Sequence, residues 1–534
     1  MLKPAGAGRA VGSDAGLVNQ GQRTFKGRPQ GQELVQKALL ERGADILIFR
    51  LHKGEHSIQC MHNIVYAYYI PQKTPSSLNP QPSPSPFTPA QLLSFYFQLL
   101  PHRALRKLPA LQGKRFYDRL FTPLVTLWYL LFQRLHSDHS LAAALSDARA
   151  GGGDRINRKL SRKLRSHSTC AFSDARQRLP WEVLAQALVL QGRKIIGLSP
   201  TTLWHGRVLA LLDGSTVRLR PHGGMAREFR ANRNQHGCPY WCLMGVAVCF
   251  CALSGAALDC TIGSIGISEQ VLAAQIILGA LSKSLFIGDR NFGVFRIAQV
   301  AREVGQEVLL RMTDTRARKL LSRPLAAGDH KVRWQCSRHD QLQADCSKEP
   351  LEGRLLIVRL GRKGFRSQWL YLFTTLPNTD QFTLQELVRL YGLRWHIELN
   401  LRYLKTQMDL AQLEAKSADM ARKEWLAGLL AYNLVRAAQL CAALKKGISP
   451  LTLSFSAVRR CLEVWLRHVG RTARQATAQW ARILEVMGQC LLPRRRKPRP
   501  NEPRAQRHLR EPYPPLHGSR ANARRHLKKY VSKS

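Results

Sequence analysis

The chain has 534 residues and a formal net charge of +47, because 82 lysines and arginines face only 35 aspartates and glutamates. Hydrophobic residues make up 45% of it and aromatic residues 8%, an ordinary globular composition. A disordered chain, a collagen and a small disulfide scaffold are therefore excluded, and the length predicts about three or four domain-sized units. So large a positive charge favours a polyanionic partner, of which nucleic acid is the commonest and an anionic membrane surface the alternative.

The first 200 residues divide by composition. Residues 1–86 form an unassigned N-terminal extension that ends in a Pro/Ser-rich linker (NPQPSPSP). Residues 87–200 have helical patterning and include the basic segment RINRKLSRKLRSH, which predicts a helical DNA-binding region. A solvated helix face explains that basic segment almost as well.

Short apolar runs begin at Val208. They predict a first part of a catalytic core over residues 201–316, with strands at 208–212, 217–220, two within 240–262, 284–287 and 308–311, and helices at 269–281 and 294–304. Strands crossed by helices indicate an α/β sheet. The β-like runs of residues 317–376 predict a β-rich insertion.

The remainder of the chain is predicted to be mostly helical. Residues 377–430 contain a long helix over roughly 384–410 and form the second part of the core. Residues 431–490 predict a C-terminal helical region, and residues 491–534 a basic disordered tail.

The twelve cysteines are scattered along the chain, and the N-terminus lacks the pattern of a signal peptide. Both observations indicate reduced thiols and a cytoplasmic protein. The uncharged residues 238–258 approach the length of a membrane span, but the Ser254-Gly255 pair favours two strands joined by a turn. We therefore expect no membrane partner.

Three acidic residues stand out because the chain has so few. Asp213 follows an apolar run in LALLDGST, and Asp289 follows another in SLFIGDRNF. Carboxylates at the carboxyl ends of neighbouring strands converge at the edge of a sheet, where α/β proteins place their sites. Glu398 lies on the predicted long helix.

That helix has a polar stripe. Steps of three, four and seven residues place four polar side chains along one face: Tyr391, Arg394, Glu398 and Lys405. A stripe at this spacing is usually apolar and buried. An ion-paired solvent face, with Glu398 bonded to Arg394 or Arg402, is an equally good interpretation of the helix alone.

Three carboxylates and nearby cations fit the chemistry of phosphodiesters. Attack on a DNA phosphate places negative charge on the entering and the leaving oxygen, and two Mg²⁺ about 3.5–4 Å apart stabilise both. Mg²⁺ prefers oxygen ligands, which Asp213, Asp289 and Glu398 supply. Arg394 and Lys405 are placed to bind phosphates beside such ions.

At this point the motifs resemble a known family. Tyr391-Gly-Leu-Arg394-Trp-His-Ile-Glu398, followed by six residues and Lys405, resembles the Y-(2)-R-(3)-E-(6)-K signature of bacterial insertion-sequence transposases of the DDE class. Asp213-Gly-Ser-Thr216 is similar to the first-aspartate motif of that family, and Asp289-Arg-Asn-Phe292 to the second. The resemblance covers roughly residues 87–490.

The resemblance implies a ribonuclease H-like, retroviral-integrase-like catalytic core with a β-rich insertion, flanked by helical N- and C-terminal regions. It implies that Asp213 bridges two Mg²⁺, for which Mn²⁺ can substitute, while Asp289 and Glu398 each complete one. Tyr391, Arg394 and Lys405 would contact phosphates at the transposon ends, and Arg290, beside the second aspartate, is a further candidate DNA contact. Stacking of a flipped base on an aromatic ring is also implied, with three candidates: Trp334, Trp369 and Trp395.

The function implied is cut-and-paste transposition by a homodimer that binds terminal inverted repeats and joins 3′-hydroxyls to target DNA, in a bacterial, nucleoid-associated setting. Two alternatives stay open from the sequence. One is a catalytically silent DNA-binding protein descended from a transposase, and the other is a ribonuclease H-like nuclease that cuts without joining.

Overall fold

The computed structural model describes residues 92–493 except 114, 117–118, 223, 231–240, 281–282, 322–324, 339–348, 361–367 and 467–472, together with residues 519, 521, 522 and 525. The expectations for the N-terminal extension and for nearly all of the basic tail concern residues outside this described part.

Nine strands of the described chain form one mixed sheet, in the order β3-β2-β1-β4-β5-β8-β7-β6, with β9 paired to β1. Their bounds are β1 Val208–Leu219, β2 Cys242–Cys251, β3 Ala257–Ser264, β4 Ser284–Gly288, β5 Glu307–Arg311, β6 Gly328–Trp334, β7 Leu351–Leu360, β8 Gln368–Thr374 and β9 Gln412–Leu413. Strands β1, β2 and β3 are antiparallel, whereas β4 and β5 run parallel to β1. The predicted mixed α/β, ribonuclease H-like core is confirmed.

The sheet separates two apolar cores, because alternate residues of a strand point to opposite faces. In β1, Leu209 and Leu211 belong to one core, while Ala210 and Leu212 belong to the other. Three helices of the described chain follow strands and contribute to the second core: α9 Glu269–Leu278, α10 Phe295–Glu303 and α11 Asp314–Leu320.

The helices on the first face come from both ends of the described chain. Before the sheet lie α1 Leu92–Leu99, α2 His102–Arg106, α3 Pro123–Leu135, α4 Leu141–Arg149, α5 Leu160–Lys163, α6 Cys170–Arg178 and α7 Trp181–Ile196; α8 Met225–Glu228 follows β1. After the sheet lie α12 Leu384–Gly392, α13 Trp395–Arg402, α14 Ala418–Lys446, α15 Phe455–Leu466 and α16 Ala473–Gln489. The predicted helical regions on both sides of the core are confirmed.

Helix α14 is the axis of this first core. It packs against α3 and α7 from the N-terminal region and against α16 from the C-terminal region. Its length and apolar composition are also typical of a membrane-spanning helix, but its most apolar stretch of 18 residues is entirely buried inside the protein.

A buried arginine ties α14 to α13. Arg436 is 2% exposed. Its guanidinium donates to Asn400 Oδ1 at 2.6 Å, to the Tyr432 hydroxyl at 2.7 Å and to Gln439 Oε1 at 2.9 Å. No acidic residue in the described chain forms an ion pair with Arg436, so neutral oxygens and the rings of Tyr403, Tyr432 and Phe455 stabilise its charge.

The insertion between Asp289 and Glu398 extends the sheet. Strand β8 pairs antiparallel with β5, and β7 and β6 follow outward. The predicted β-like runs therefore continue the central sheet at the edge beyond β5.

Candidate active site

Asp213 lies inside a strand. The sequence predicted two strands separated at Asp213, and this prediction is wrong because β1 runs unbroken and Asp213 pairs with Val248 of β2. On the other side of β1, parallel pairing with β4 ends at Leu211 and Ile287. Asp213 is thus the second residue beyond the end of that pairing, and the longer antiparallel ladder with β2 keeps it extended.

Asp289 directly follows β4, as the sequence predicted, and it too is the second residue beyond the Leu211–Ile287 pair. Because adjacent strands lie about 4.8 Å apart, the two aspartates are neighbours at one edge of the sheet. The Asn291 backbone N–H donates to Asp289 Oδ1 at 2.8 Å, which fixes the side chain in a turn.

The turn after β4 is held from outside by Arg316 on α11. Its Nη1 donates to the carbonyl oxygens of Arg290, at 3.1 Å, and Gly293, at 3.0 Å. A Cβ at Gly293 would overlap the Arg311 carbonyl of β5, so glycine is required for this close approach. The side chain of Arg290, a predicted DNA contact, is exposed.

The two aspartates interact electrostatically. The pKa of Asp213 is raised to about 7, chiefly by burial and in addition by the charges of Asp289 and Glu269, while Arg394 and the Gly214 N–H act in the opposite direction. Nothing in the described chain forms an ion pair with Asp213 or Asp289. Two carboxylates left so close together in a strongly cationic protein form a local concentration of negative charge.

The predicted long helix is broken. Helix α12 ends at Gly392 and α13 begins at Trp395, because N–H groups between Leu393 and Ile397 bind carbonyls three residues back. A π-helical turn, Tyr403–Gln407, then follows α13. A single helix over 384–410 was the wrong prediction.

Arg394 and Glu398 of the polar stripe remain in contact despite the break in the helix. Arg394 Nη2 donates to Glu398 Oε1 at 2.9 Å, which is one of the two ion pairs that the sequence left open. Tyr391 is buried, with 2% of its surface exposed, and the Arg394 guanidinium lies beside its hydroxyl. The Tyr391 ring therefore has almost no surface for DNA in this conformation. Its contact is instead with the Arg394 side chain.

Lys405 lies on the π-helical turn and is half-buried. Burial and the neighbouring Arg218 lower the pKa of Lys405, while the charge of Asp213 raises it. The structure therefore brings Arg394 and Lys405 into the electrostatic environment of Asp213.

The donor set fits a hard divalent cation. Asp213 and Asp289 offer carboxylate oxygens that repel each other, and the third predicted ligand, Glu398, has a 39% exposed side chain next to Arg394. In the described chain, no three acidic, histidine or cysteine side chains converge on one point. Glu398 would have to exchange Arg394 for the cation to complete the predicted triad.

A fourth carboxylate was missed from the sequence. Glu269 is the first residue of α9, after the N-cap Ser268, and its Oε2 accepts from Asn291 Nδ2 at 2.8 Å. No pattern in the sequence singles out Glu269, because several other helices of the described chain also have an acidic residue in their first turn.

The three candidate aromatic residues differ in exposure. Trp334 is 8% exposed and packs edge-on against Phe295 and Phe373. Trp395 is partly buried at the start of α13. Trp369, on β8, is 43% exposed, so it offers the most surface to a base.

The chain is similar to known proteins in three comparisons, of which the family model and the curated relative agree with the motifs. Residues 204–434 match the family model described as "Transposase DDE domain". The chain is 27% identical over 336 residues to the transposase InsG of insertion sequence element IS4 from Escherichia coli K12, a match covering 61% of this chain and 74% of that protein. Among solved structures, the piggyBac transposase synaptic complex with hairpin DNA matches at a TM-score of 0.36 and 10% identity, over 80% of this chain and 89% of that one.

The matched residues span β1 to α14 and so contain Asp213, Asp289 and Glu398. The family model and the Escherichia coli relative agree with the ordered motifs: residues 204–434 are similar to a transposase DDE domain, and the chain is similar to a bacterial insertion-sequence transposase.

Proposed function

We propose that the chain is a cut-and-paste transposase that cleaves DNA at transposon ends and joins the released 3′-hydroxyls to target DNA. Asp213, Asp289 and Glu398 would hold two Mg²⁺. Bound there, these ions would stabilise the charge on the attacking and leaving oxygens of a phosphodiester. The observation that supports the proposal is the pairing register of β1 and β4, in which Asp213 and Asp289 each follow the Leu211–Ile287 pair by two residues.

The protein's own groups would position the DNA. Arg394 and Lys405 would bind phosphates flanking the scissile bond, since both lie within the electrostatic reach of Asp213. Arg290 would extend this contact from the turn after β4. Water would first attack the phosphorus at the transposon end and release a 3′-hydroxyl, which would then attack a phosphorus of target DNA and displace the 3′-oxygen of the target strand.

The partners of this reaction would be two kinds of duplex DNA, the terminal inverted repeats and the target. The active complex would contain two copies of the chain. It would act in the bacterial nucleoid. The formal net charge of +47 supports this choice, because the chain needs a polyanion to offset its own repulsion.

The deciding experiment is Glu398→Gln. The variant should bind end DNA in a mobility-shift assay as the wild type does, and should lose Mg²⁺-dependent cleavage by a factor of at least about 10³. Full cleavage by this variant would refute the proposal.

The same assay separates the alternatives. Wild-type protein that nicks the ends without forming a joined product would be a nuclease, and wild-type protein that binds without cutting would be a regulator. Glu303→Gln, which removes an exposed carboxylate at the end of α10, is the control for the loss of one negative charge.

A further inference from the structure

A cavity of about 230 Å³ lies where α3, α4, α6 and α14 meet. None of its lining residues belongs to the candidate active site. Pockets for drug-sized molecules measure about 300–1,000 Å³, so this cavity suits a smaller ligand. Most of its lining is polar, and the polar residues are Gln133, Arg134, His139, Ser140, Arg176 and Glu424.

Two arginines of this cavity share one carboxylate. Glu424 Oε1 accepts from Arg176 Nη2 at 3.2 Å, and Glu424 Oε2 accepts from Arg134 Nη2 at 3.0 Å. All three side chains are largely buried, with 12–13% of their surface exposed. Within the described chain no second carboxylate pairs with either arginine, so one positive charge of the lining has no counterion. A buried charge without a counterion is unfavourable.

The arginines also have hydrogen-bond donors to spare. A guanidinium carries five N–H donors. The Arg176 Nε is buried and has no acceptor among the described residues. Burial lowers the pKa of Arg176, Glu424 raises it, and the charge of Arg134 lowers it again, so the two guanidiniums repel each other. An oxyanion between them would relieve this repulsion and supply acceptors.

The amino end of α4 faces the same cavity. Ser140 is the N-cap of this nine-residue helix and is exposed, so solvent reaches the lining at this point. The free N–H groups at the start of a helix favour a negative charge. The helix end therefore adds to the attraction of the two arginines for an anion.

We propose that this cavity binds one phosphate group, held by Arg134 and Arg176. Guanidinium groups suit phosphate oxygens because their N–H donors lie in a planar fork. Glu424 competes with the phosphate for the same donors and so limits the affinity. Two sources supply such a group, inorganic phosphate and the DNA backbone. The inference does not depend on the proposed cleavage chemistry.

The test is equilibrium dialysis of radioactive inorganic phosphate against the full chain without DNA. About 1 M KCl screens exposed charges over about 3 Å and buried charges much less, so it suppresses nonspecific binding. Arg134→Gln should weaken phosphate binding at least about 10-fold, because charge-assisted hydrogen bonds are lost. Glu424→Gln should strengthen it about 10-fold, because the competing carboxylate is gone.

Equal phosphate affinities in the wild type and both variants would overturn the inference, and so would a lack of binding by both the wild type and Glu424→Gln. If Glu424→Gln fails to fold, Arg134→Gln decides alone, since that variant keeps the Arg176–Glu424 pair.

The matched controls are Arg162→Gln and Glu303→Gln. Both side chains are exposed, on α5 and α10, and neither lines the cavity. The two changes remove the same charges as the test variants and should leave phosphate affinity unaltered.

Competition identifies the source of the phosphate group. Displacement of phosphate by a short DNA duplex, together with weaker duplex binding by Arg134→Gln, would assign the cavity to the DNA backbone. Independent binding of phosphate and duplex would assign it to free phosphate. Both results support the cavity as a phosphate site.

Discussion

Arg394 and Glu398 form an ion pair, with Nη2 and Oε1 2.9 Å apart, across the start of α13. The pair joins a candidate phosphate ligand to a candidate metal ligand. Each group therefore satisfies the other in the protein without DNA, and substrate binding would have to separate them. This relationship makes Arg394 the first residue to test.

We expect Arg394→Ala to reduce the slope of log affinity for end DNA against log salt concentration by about 1, because one phosphate contact is lost. Fluorescence anisotropy over a salt series measures this slope. Arg389→Ala is the control. Arg389 is exposed on α12. It precedes Tyr391 by two residues, so its side chain lies on a different face of the helix from the polar stripe. Equal slopes for Arg394→Ala and the wild type would show that Arg394 only pairs with Glu398.

The pH dependence of stability should report Asp213. Its pKa is raised from 3.8 to about 7, so the folded protein keeps a proton that the unfolded chain loses. The stabilisation is complete below pH 4 and is lost as the pH rises through 7. In EDTA at pH 8, Asp213→Asn should raise the apparent Tm by about 2–5 °C, because the amide stays neutral.

At pH 4 the same variant and the wild type should melt together, and differential scanning fluorimetry across this range measures both. Mg²⁺ should stabilise the wild type at pH 8 more than Asp213→Asn. Parallel pH profiles of the two proteins would contradict the assignment.

Removing the support of the Asp289 turn should lower activity without unfolding the protein. Arg316→Ala deletes the two hydrogen bonds to the carbonyls of Arg290 and Gly293, so we expect end cleavage to fall about 10- to 100-fold. Single-turnover cleavage rates measure the effect. Arg318→Ala, on the same helix but paired with Asp314 at the surface, should retain the wild-type rate.

Trp369 should act on the DNA and contribute little to stability. Trp369→Ala should reduce cleavage at the transposon end and lower the fluorescence change of 2-aminopurine placed near the cut, because stacking on an aromatic ring is worth about 1–3 kcal/mol per base. Trp369→Phe keeps a ring and should restore most of both signals. A normal 2-aminopurine signal in Trp369→Ala would exclude this residue as the stacking partner.

The buried Arg436 should be a stability residue. Arg436→Ala removes hydrogen bonds to Asn400, Tyr432 and Gln439 and leaves a cavity, so the free energy of unfolding should fall by about 3–5 kcal/mol. The shift of the urea midpoint measures the loss. Lys445→Ala, an exposed change on the same helix, should alter stability by less than about 0.5 kcal/mol.

The sequence patterns predicted which residues form the candidate site better than they predicted the local backbone geometry of those residues. The apolar runs before Asp213 and Asp289 predicted strands, because fully buried strands need continuous hydrophobic residues. The unbroken course of β1 was not predictable, since Gly214 and Ser215 resemble turn residues and only pairing with β2 keeps them extended. Tertiary pairing there outweighs local propensity.

The helix carrying Glu398 shows the same limit. Its spacing predicted a common face for Arg394 and Glu398, and their ion pair has that geometry. The break after Gly392 and the π-helical turn at Lys405 both depart from a regular 3.6-residue period, so the spacing alone does not predict them.

The burial of α14 limits how the protein can be divided. A fragment confined to residues 201–430 would lose α3, α7 and α16, which cover this helix. It would also end inside α14 and so remove the carboxyl-terminal half of that helix. Its exposed apolar surface would then favour aggregation or capture by lipid. Expression of residues 201–430 alone should therefore yield insoluble protein. Biochemical work should begin with a chain that keeps residues 92–493 together.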